Sequence, residues 1–451
     1  MDGSKNLWPF ANTGPYPTRG GNRVQPWIDG QPAFSRMCEA IESATESVWA
    51  TITFMWASFQ MPGSRGSALD VLELAAARGL DVRLIFWRPD GETAGLRLNA
   101  FWGSADHFEL LERRYRHLKI RWDRAHPGYC QHQKTWLVDA SRDTGVCFVG
   151  GINLNPQSVV SPGHRGDGQN HDAYIELAGP SVFDVHHNFV QRWNEASERI
   201  AADGRWGRDS EREMRFPESP PAECGVVCAQ IQRTTHPGRY QSTGDFDFAA
   251  GERTNLEQYR LAIRAAQRTI YIENQHLEVS EVVSAIEEAL IRGVQVILLL
   301  PMKPMSASQG IPLHDLPARL GRCEGLTICG IAGLGDDGRR HPVHVHAKIM
   351  LVDDEWATIG SCNLHHYSLF GNGELNVAFR DHASVRAVRI GLFQEHLAMN
   401  TSGMDDVTAF SLFHQVAGEN RRCHDGGDSS WQGLALDLHG VRSEAYSAVA
   451  G

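Results

Sequence analysis

The sequence lacks the features that mark several large classes of protein. Its longest apolar runs, such as Val294–Leu300, are far shorter than the about 20 residues that a membrane-spanning helix requires. Met1–Gly20 holds no apolar stretch of the kind found in signal peptides. Basic residues are not in excess either, because 43 Lys and Arg stand against 54 Asp and Glu, a formal net charge of −11. We therefore predict no transmembrane segment and no nucleic acid as partner.

The sequence also lacks closely spaced cysteine pairs. Its nine cysteines are an odd number and are scattered without a Cys-x-x-Cys motif, which is typical of thiols in a reducing compartment. This pattern predicts a cytoplasmic protein or one peripheral to a membrane, and it leaves secretion open for a chain whose leader was removed. With 451 residues, 42% of them hydrophobic and 22% charged, the chain is long enough for two globular domains or two fused halves.

What the sequence does contain is an internal repeat. In each half a helix, a buried strand, a second helix and a second buried strand follow one another, and the second helix ends before a glycine, Gly79 or Gly293. The predicted elements are Phe34–Ala44, Val48–Phe54, Ala68–Arg78 and Asp81–Trp87 in the first half, and Leu256–Gln267, Thr269–Glu273, Val282–Arg292 and Val294–Leu300 in the second. This order predicts βαβ units in an α/β fold, with mixed sheets covered by helices.

A polar segment with several glycines and prolines, Ala201–Pro221, separates the two repeats. It is the natural place for a boundary between two units. We therefore predict one half over residues 1–210, a second half over 211–400, and a C-terminal extension over 401–451 whose role the sequence does not indicate.

The third repeated feature is chemical. Each half holds a histidine, a lysine two residues later and an aspartate five residues after the lysine. These residues are His132, Lys134 and Asp139 in the first half and His346, Lys348 and Asp353 in the second. In a strand, residues two apart point to the same face, so each histidine shares a surface with its lysine. One such set is weak evidence, whereas two sets at matching positions of matching halves indicate a site.

An imidazole beside an ammonium group, present twice, suits the chemistry of a phosphodiester. Two lysines place fixed positive charge near oxygens that are negative in the transition state. One histidine can attack phosphorus and form a covalent phosphohistidine, while the other protonates the leaving alcohol and then deprotonates the incoming water or alcohol. We therefore predict catalysis by His132, His346, Lys134 and Lys348 without a metal or any other cofactor.

Turns of small residues follow both motifs and supply candidate ligands of the phosphate. Gly150–Asn153 and Gly360–Asn363 each come directly after an apolar strand. Asn153 and Asn363 are predicted to donate hydrogen bonds to the non-bridging oxygens. Ser361 is predicted to add a further contact with the substrate.

Four carboxylates are predicted to support these groups. Asp172 and Glu374 are candidates to bond the far nitrogen of an imidazole, which fixes its tautomer and raises its basicity. Asp139 and Asp353 are expected to act as structural partners near the strand ends rather than in proton transfer.

Two tryptophans follow strands of the first half, near the edge where sheets of this kind hold their sites. Trp56 and Trp87 are therefore candidates to line a pocket for an acyl chain or a choline cation. Packing in the core is the alternative for both side chains.

The doubled His-x-Lys-x4-Asp motif resembles that of the phospholipase D superfamily, and the resemblance extends over residues 22–400. Further segments resemble the branch of that superfamily that cleaves phosphatidylcholine. They are His171–Asp172 followed by Gly179–Pro180, Asn188–Trp193, Ile270–Gln275 and Val352–Glu355.

The resemblance implies two similar α/β/α halves, with their mixed sheets packed together about a pseudo-twofold axis and one active site at the seam. It also implies that His132 is the nucleophile and His346 the acid and base, although the sequence itself does not distinguish them. The implied activity is hydrolysis of a glycerophospholipid at a membrane or micelle surface to phosphatidic acid and the head-group alcohol, with transfer to other alcohols in place of water. Because both motifs lie on one chain, a monomer is expected to suffice.

Three other functions stay open at this point. One is a phosphatidyltransferase similar to cardiolipin synthases, which we disfavour because those proteins usually carry N-terminal membrane helices. The second is a nuclease or another phosphodiesterase of the superfamily, and the third is a lipid-binding scaffold without activity. A zinc site is a further alternative, disfavoured because Lys348 would repel the ion. Its candidate ligands are His341, His344, His346, Cys362, His365 and His366.

Overall fold

Two β-sheets with the same internal order form the centre of the protein in a computed structural model. The structure describes residues 9–89, 111, 113–196, 213–240, 246–302, 320 and 324–438. The predicted boundary between residues 210 and 211 lies outside these ranges.

The strands of the described ranges are short and lie in both halves of the chain. They are β1 (Arg19–Ile28), β2 (Ser47–Ile52), β3 (Asp81–Trp87), β4 (Lys119–Asp123), β5 (Thr135–Val138), β6 (Val146–Gly150), β7 (Asn170–His171), β8 (Ala173–Ala178), β9 (Val227–Thr235), β10 (Glu252–Arg253), β11 (Thr269–Glu273), β12 (Gln295–Leu299), β13 (Leu326–Leu334), β14 (Arg340–Val345), β15 (Ile349–Val352), β16 (Trp356–Gly360), β17 (Glu374–Arg380) and β18 (Ala435–Asp437). The α-helices of the same ranges are α1 (Gly30–Ser43), α2 (Ala68–Ala77), α3 (Val182–Asn194), α4 (Thr254–Ala265), α5 (Ser280–Ile291), α6 (His366–Phe370), α7 (His382–Leu397) and α8 (Asp406–Asp425).

The elements predicted from hydrophobic periodicity occur in the predicted order. The strands Asp81–Trp87 and Thr269–Glu273 have the predicted bounds. Helix α2 begins after Ser67, whose hydroxyl accepts a hydrogen bond from the main chain of Asp70 while the carboxylate of Asp70 accepts one from Ser67. Helix α1 begins four residues before its predicted start, at Gly30.

The order of strands is the same in both sheets. The first sheet runs β4-β3-β2-β5-β6-β8-β1 and the second runs β13-β12-β11-β15-β16-β17-β9. In each, the first three strands are parallel to one another and the later neighbours are antiparallel. The connection from β2 to β3 passes through α2 and that from β11 to β12 through α5, as βαβ units require. The repeat predicted from the sequence is therefore present as two copies of one mixed sheet.

The two sheets pack together and are joined at their edges. Strands β6 and β8 contact β16 and β17, and one hydrophobic core contains side chains of both sheets, among them Leu137 and Leu351. Two further cores lie beneath α1 and α2 on the first sheet and beneath α4 and α5 on the second. Strand β1 pairs with β9, and β7 pairs with β14, so strands of the two halves are hydrogen-bonded across the seam. The predicted α/β class is confirmed.

The described part of the predicted C-terminal extension is built into the second half. Helix α8 packs on β11, β12 and β18, and β18 adds an antiparallel strand to β13. Asp406, at the start of α8, accepts hydrogen bonds from Arg268 and Thr269. Residues 401–438 thus complete the second sheet and its core. Among the described residues, no helix has the length and apolarity needed to cross a bilayer.

Candidate active site

Each motif histidine lies on an extended segment that pairs with the opposite half. The N–H of His132 donates to the carbonyl oxygen of Gly373 at 2.8 Å, and the N–H of His346 donates to that of His171 at 2.8 Å. Strand β14 ends one residue before His346 and runs parallel to β7, and Gln131 forms the same parallel bridge with Gly373. Main-chain bonds across the seam therefore place both histidines, and both line a single cavity.

The carboxylate that bonds each histidine comes from the other half. Oε2 of Glu374 lies 3.0 Å from Nδ1 of His132, and Oδ2 of Asp172 lies 2.5 Å from Nδ1 of His346. The sequence predicted these carboxylates but did not indicate which histidine each one faces. A Cβ atom at Gly151 would lie 2.4 Å from the carboxylate of Asp172, so only glycine permits this approach. Nε2 of each imidazole remains available to a substrate.

Both motif lysines are buried beside their histidines. Nζ of Lys134 donates to the carbonyl oxygen of His132 at 2.8 Å, and Nζ of Lys348 donates to that of His346. Burial lowers the pKa of Lys134 to about 8, although Glu374 opposes the shift. Burial likewise lowers the pKa of Lys348 to about 7, against the effect of a nearby carboxylate. Both ammonium groups are thus poorly solvated, and a bound anion would stabilise their charged forms.

The two histidine–carboxylate pairs differ electrostatically. Burial raises the pKa of Asp172 to about 7, so this carboxyl retains a proton more readily than usual. Burial also acts to raise the pKa of Glu374, but the neighbouring His132 outweighs it and the pKa lies below its ordinary value. Burial lowers the pKa of both imidazoles, that of His346 most strongly. At neutral pH Glu374 is therefore ionised, whereas Asp172 and His346 form a pair that can hold a proton.

The two predicted asparagines lie where a phosphate would enter. Asn153 and Asn363 line the cavity that contains the histidines. Within the described structure the Oδ1 atom of each is buried without a hydrogen-bond partner. An unpaired Oδ1 needs a hydrogen-bond donor, such as a hydroxyl of a substrate, whereas the NH2 group of each amide is the donor predicted for the phosphate oxygens.

The cavity has a volume of about 830 Å³ and one aromatic wall. Trp56 and Trp87 both line it, and Phe54 lies between them with ring centroids 6.3 Å and 5.6 Å away. The ring of Phe54 also lies 6.2 Å from that of His132 and 5.8 Å from Nζ of Lys134. The first-half aromatics thus form an apolar surface directly beside the motif.

Asp139 and Asp353 do not contact the histidines. The carboxylate of Asp139 accepts hydrogen bonds from the main chain of Thr45, Glu46 and Ser47 at 2.8–2.9 Å. The carboxylate of Asp353 accepts equivalent bonds from the main-chain N–H groups of Gln267, Arg268 and Thr269 at 2.7–2.8 Å. Each aspartate therefore fixes the start of the strand, β2 or β11, that pairs with its own motif strand.

Ser361 lies in a different place from the one predicted. Its hydroxyl donates to Oε2 of Glu374 at 2.6 Å, and the residue is fully buried away from the cavity lining. Its carbonyl oxygen lies 3.1 Å from Nδ1 of His132. The substrate contact predicted for Ser361 is therefore corrected to a contact with the carboxylate that orients His132. The main-chain N–H of Ser361 donates to the carbonyl oxygen of Leu375 at 3.0 Å, which holds the residue against the start of β17.

The ligands of the zinc alternative do not come together. His346 bonds Asp172, and Nε2 of His344 lies 3.2 Å from the side-chain amide of Gln275. Sγ of Cys362 faces main-chain carbonyls. No cluster of metal-competent side chains in the described ranges contains any residue proposed for that site.

Several residues of the cavity wall were missed by the sequence analysis. Tyr129, Asn155, Gln157 and Gln275 all line the cavity. Tyr129 lies three residues before His132, and Gln275 lies two residues after β11. Their proximity to a motif or to a strand end was the available signal, but polar residues in such turns are too common to stand out.

Two like sheets that bring two His–Lys motifs to one cavity define a protein of the phospholipase D-like class. A family model described as "Cardiolipin synthase, PLD-like domain" matches residues 37–193 and 259–393, and the chain belongs to this family. The family is one of enzymes. Each of the two matched segments contains one of the two His-x-Lys-x4-Asp motifs.

Relatives of the chain are cardiolipin synthases. It is 24% identical to cardiolipin synthase A of Pseudomonas entomophila (strain L48) over 388 residues, which cover 82% of this chain and 67% of the relative. It is 26% identical to cardiolipin synthase B of Shigella flexneri over 370 residues, which cover 80% of this chain and 78% of the relative. A crystal structure of phosphatidylserine synthase from Haemophilus influenzae Rd KW20 is similar in fold, with a TM-score of 0.57, 11% identity and coverage of 90% of this chain and 96% of that one.

These relatives confirm the superfamily but not the predicted phosphatidylcholine-cleaving branch. They point instead to the branch of cardiolipin synthases, which the sequence analysis had disfavoured. We had disfavoured this branch because its members were expected to carry N-terminal membrane helices, a feature that has no bearing on the residues that line the cavity.

Proposed function

We propose that this protein is a phosphatidyltransferase of the cardiolipin synthase type. It transfers the phosphatidyl group of one phospholipid to the hydroxyl of an acceptor through a phosphohistidine. The observation that carries the proposal is the crossed pairing of His132 with Glu374 and of His346 with Asp172 at one cavity. The relatives named cardiolipin synthases support the choice of transfer over hydrolysis.

The first step forms the covalent intermediate. Nε2 of His132 attacks phosphorus, and the bond from phosphorus to the head-group oxygen breaks while the new N–P bond forms. The NH2 groups of Asn153 and Asn363, which line the cavity, donate hydrogen bonds to the non-bridging oxygens. Lys134 and Lys348, buried beside their histidines, stabilise the negative charge of these oxygens. The proton that the leaving oxygen needs comes from His346, with Asp172 behind it.

The surroundings of Nδ1 favour His132 as the nucleophile. Both neighbours of this atom are acceptors, Oε2 of Glu374 at 3.0 Å and the carbonyl oxygen of Ser361 at 3.1 Å. The proton of the neutral imidazole is therefore held on Nδ1, which leaves a lone pair on Nε2. The ionised Glu374 then stabilises the positive charge that develops on His132 during attack.

The second step releases the product. The hydroxyl of the acceptor gives its proton to Nε2 of His346, its oxygen attacks phosphorus, and the N–P bond to His132 breaks. The proton balance is restored, because His346 regains the proton that it gave to the leaving group. Water in place of the acceptor would yield phosphatidic acid, so the same intermediate determines the ratio of transfer to hydrolysis.

Substrates of this reaction are glycerophospholipids presented at a membrane or micelle surface. Cardiolipin consists of two phosphatidyl groups joined through one glycerol, so phosphatidylglycerol can serve as donor and as acceptor. The aromatic wall of Phe54, Trp56 and Trp87 offers apolar area beside the phosphate site. One chain supplies every group that the reaction needs.

The test is product analysis by mass spectrometry with phosphatidylglycerol in mixed micelles. We expect cardiolipin and free glycerol, and neither product from the His132→Ala variant. Phosphatidic acid as the main product, from phosphatidylglycerol or from phosphatidylcholine, would instead identify a hydrolase. Cleavage of single-stranded DNA under the same conditions would identify a nuclease. If none of these substrates gave a product, the protein would be a lipid-binding scaffold without activity.

A further inference from the structure

A second cluster of ionisable side chains lies behind Asp172, outside the cavity. We call it the seam cluster, and it contains three carboxylates and three imidazoles from both halves of the chain. Its members are Asp29, His164, His171, Glu273, Glu395 and His396, with side chains at most 3% exposed. The proposed reaction uses none of them.

Four of these side chains bring possible metal-binding atoms close together, and Asp29 does so with both of its carboxylate oxygens. Nε2 of His164 lies 3.3 Å from Nδ1 of His171, 3.2 Å from Oδ2 of Asp29 and 3.2 Å from Oε1 of Glu395. Nδ1 of His171 lies 3.0 Å from Oδ1 of Asp29 and 4.0 Å from Oε1 of Glu395. One ligand atom from each of the four side chains lies within 4.8 Å of the other three. These side chains come from the end of β1, the loop before β7, β7 itself and α7.

Hydrogen bonds satisfy only part of this arrangement. Two ring nitrogens, of His164 and His171, face each other, and only one of them can donate to the other. Within the described structure Oδ2 of Asp29 and Oε2 of Glu395 are buried and have no hydrogen-bond partner of acceptable geometry. Buried carboxylate oxygens left in this way are destabilising unless a cation or a donor reaches them.

A tetrahedral metal ion explains the separations. Ligand atoms about 2.0–2.1 Å from zinc lie about 3.3–3.4 Å apart at the corners of a tetrahedron. Four of the five separations given above are 3.0–3.3 Å, two of them to different oxygens of Asp29, and the separation between His171 and Glu395 is 4.0 Å. We propose that Asp29, His164, His171 and Glu395 bind one divalent transition-metal ion of the zinc class, at a structural site separate from the phosphate site.

The remaining members of the cluster have the contacts expected around such an ion. Nε2 of His171 lies 2.9 Å from Oε2 of Glu273, the carboxylate that fixes the ring with Nδ1 toward the metal. Glu273 also accepts from the hydroxyl of Tyr271 at 2.5 Å and lies 2.9 Å from Nε2 of His396. A divalent ion also offsets two of the three formal negative charges that three buried carboxylates bring.

A metal at this site would help to fix the position of His346, because one of its ligands is hydrogen-bonded to the main chain of His346. The carbonyl oxygen of His171 accepts the main-chain N–H of His346 at 2.8 Å, and the main-chain N–H of Asp29 donates to the carbonyl oxygen of Asp172 at 2.7 Å. Three ligands come from the first half and Glu395 from the second. The ion thus fastens the two halves together next to the pair that moves the proton.

The first test is the metal content of the purified full-length protein, measured by inductively coupled plasma mass spectrometry after expression with added zinc. We expect one equivalent per chain in wild type and loss of it in His164→Ala and in Glu395→Gln. His187→Ala is the matched control, because His187 is also a buried imidazole but lies outside the seam cluster and the cavity, and this variant should keep the metal. Equal loss in the control would show that the metal is held elsewhere or nonspecifically.

The second test uses wild-type protein and does not depend on the folding of variants. Removal of metal with dipicolinate should lower the midpoint of thermal unfolding, and added Zn²⁺ should restore it. Cobalt(II) loaded into the stripped protein should give the intense visible absorption of a tetrahedral complex, which His187→Ala retains. If wild type carries no metal and neither Zn²⁺ nor Co²⁺ changes its unfolding or its spectrum, the proposal is wrong and protons alone hold the cluster together.

Discussion

His132 and Glu374 are separated by 242 positions in the chain, yet Nδ1 of one lies 3.0 Å from Oε2 of the other. His346 and Asp172 repeat this relationship in the opposite direction across the seam. Each half therefore supplies a histidine to the reaction and a carboxylate to the histidine of its partner. Four testable predictions concern these groups and the strands that hold them.

The first prediction separates the nucleophile from the acid. With a phosphatidyl ester of p-nitrophenol, whose leaving group needs no proton, His346→Ala should still give a burst of one p-nitrophenol per chain, followed by slow turnover. His132→Ala should give no burst, because no N–P bond forms. Stopped-flow absorbance measures both. On ordinary phospholipids each substitution should lower kcat at least about 10²–10⁴-fold, and a burst from His132→Ala would reverse the two assignments.

The second prediction concerns the crossed carboxylate. Glu374→Gln should lower kcat by about 10²–10⁴-fold with little change in KM, because an amide can hold the imidazole in the wrong tautomer. The effect should vanish in a His132→Ala background, since Glu374 acts through that ring. A double-mutant cycle measures this coupling. Additive losses in the double variant would contradict it, and Glu374→Asp, which keeps the charge, should recover part of the activity.

The third prediction is a pH dependence that differs between free and occupied enzyme. The ligand-free site holds Lys134 and Lys348 with pKa values of about 8 and about 7, because burial disfavours their charged forms. Binding of an anionic phosphodiester requires the charged forms, so kcat/KM should fall as pH rises through this range. The bound anion raises both pKa values again, and kcat should therefore fall only at higher pH.

The lysine pair offers a control for this profile. Lys348→Arg keeps a positive charge at every accessible pH, so its basic limb should reflect Lys134 alone and move upward. A wild-type kcat/KM that stays level through about pH 9 would contradict the assignment of these lysines to the phosphate.

The fourth prediction concerns stability rather than chemistry. Asp139→Asn replaces a carboxylate that accepts hydrogen bonds from three main-chain N–H groups and from the hydroxyl of Thr45. An amide nitrogen cannot accept these bonds, so we expect a loss of about 2–3 kcal/mol in the free energy of unfolding. The remaining folded protein should keep its kcat. Chemical denaturation measures the loss, and Asp143→Asn, at an exposed site, should change stability by less than about 0.5 kcal/mol.

Much of the fold could be predicted from the sequence, because the repeated helices and strands show in patterns of residues that are close together in the chain. Buried strands such as Asp81–Trp87, and helices that end before Gly79 or Gly293, are encoded by residues close together in the chain. The histidines, lysines and asparagines were found by their repetition at equal spacing. The histidines and asparagines line one cavity, and each lysine lies buried beside its histidine.

The rest depended on contacts between distant residues. Spacing along the chain does not show that Glu374 faces His132 or that Ser361 turns toward Glu374, since both contacts form across a seam between two sheets. The seam cluster was missed for the same reason, because its members are scattered from residue 29 to residue 396. The branch of the family was misjudged on a region outside the site.

The exchange of carboxylates also bears on the ancestry of the chain. A half-length ancestor with a single motif would have been active only as a symmetric pair, in which each copy completed the histidine of the other. Symmetry would then have required the same acidic residue at both places. The present chain has an aspartate at 172 and a glutamate at 374, a difference that a single chain with two unlike halves permits and a symmetric pair does not.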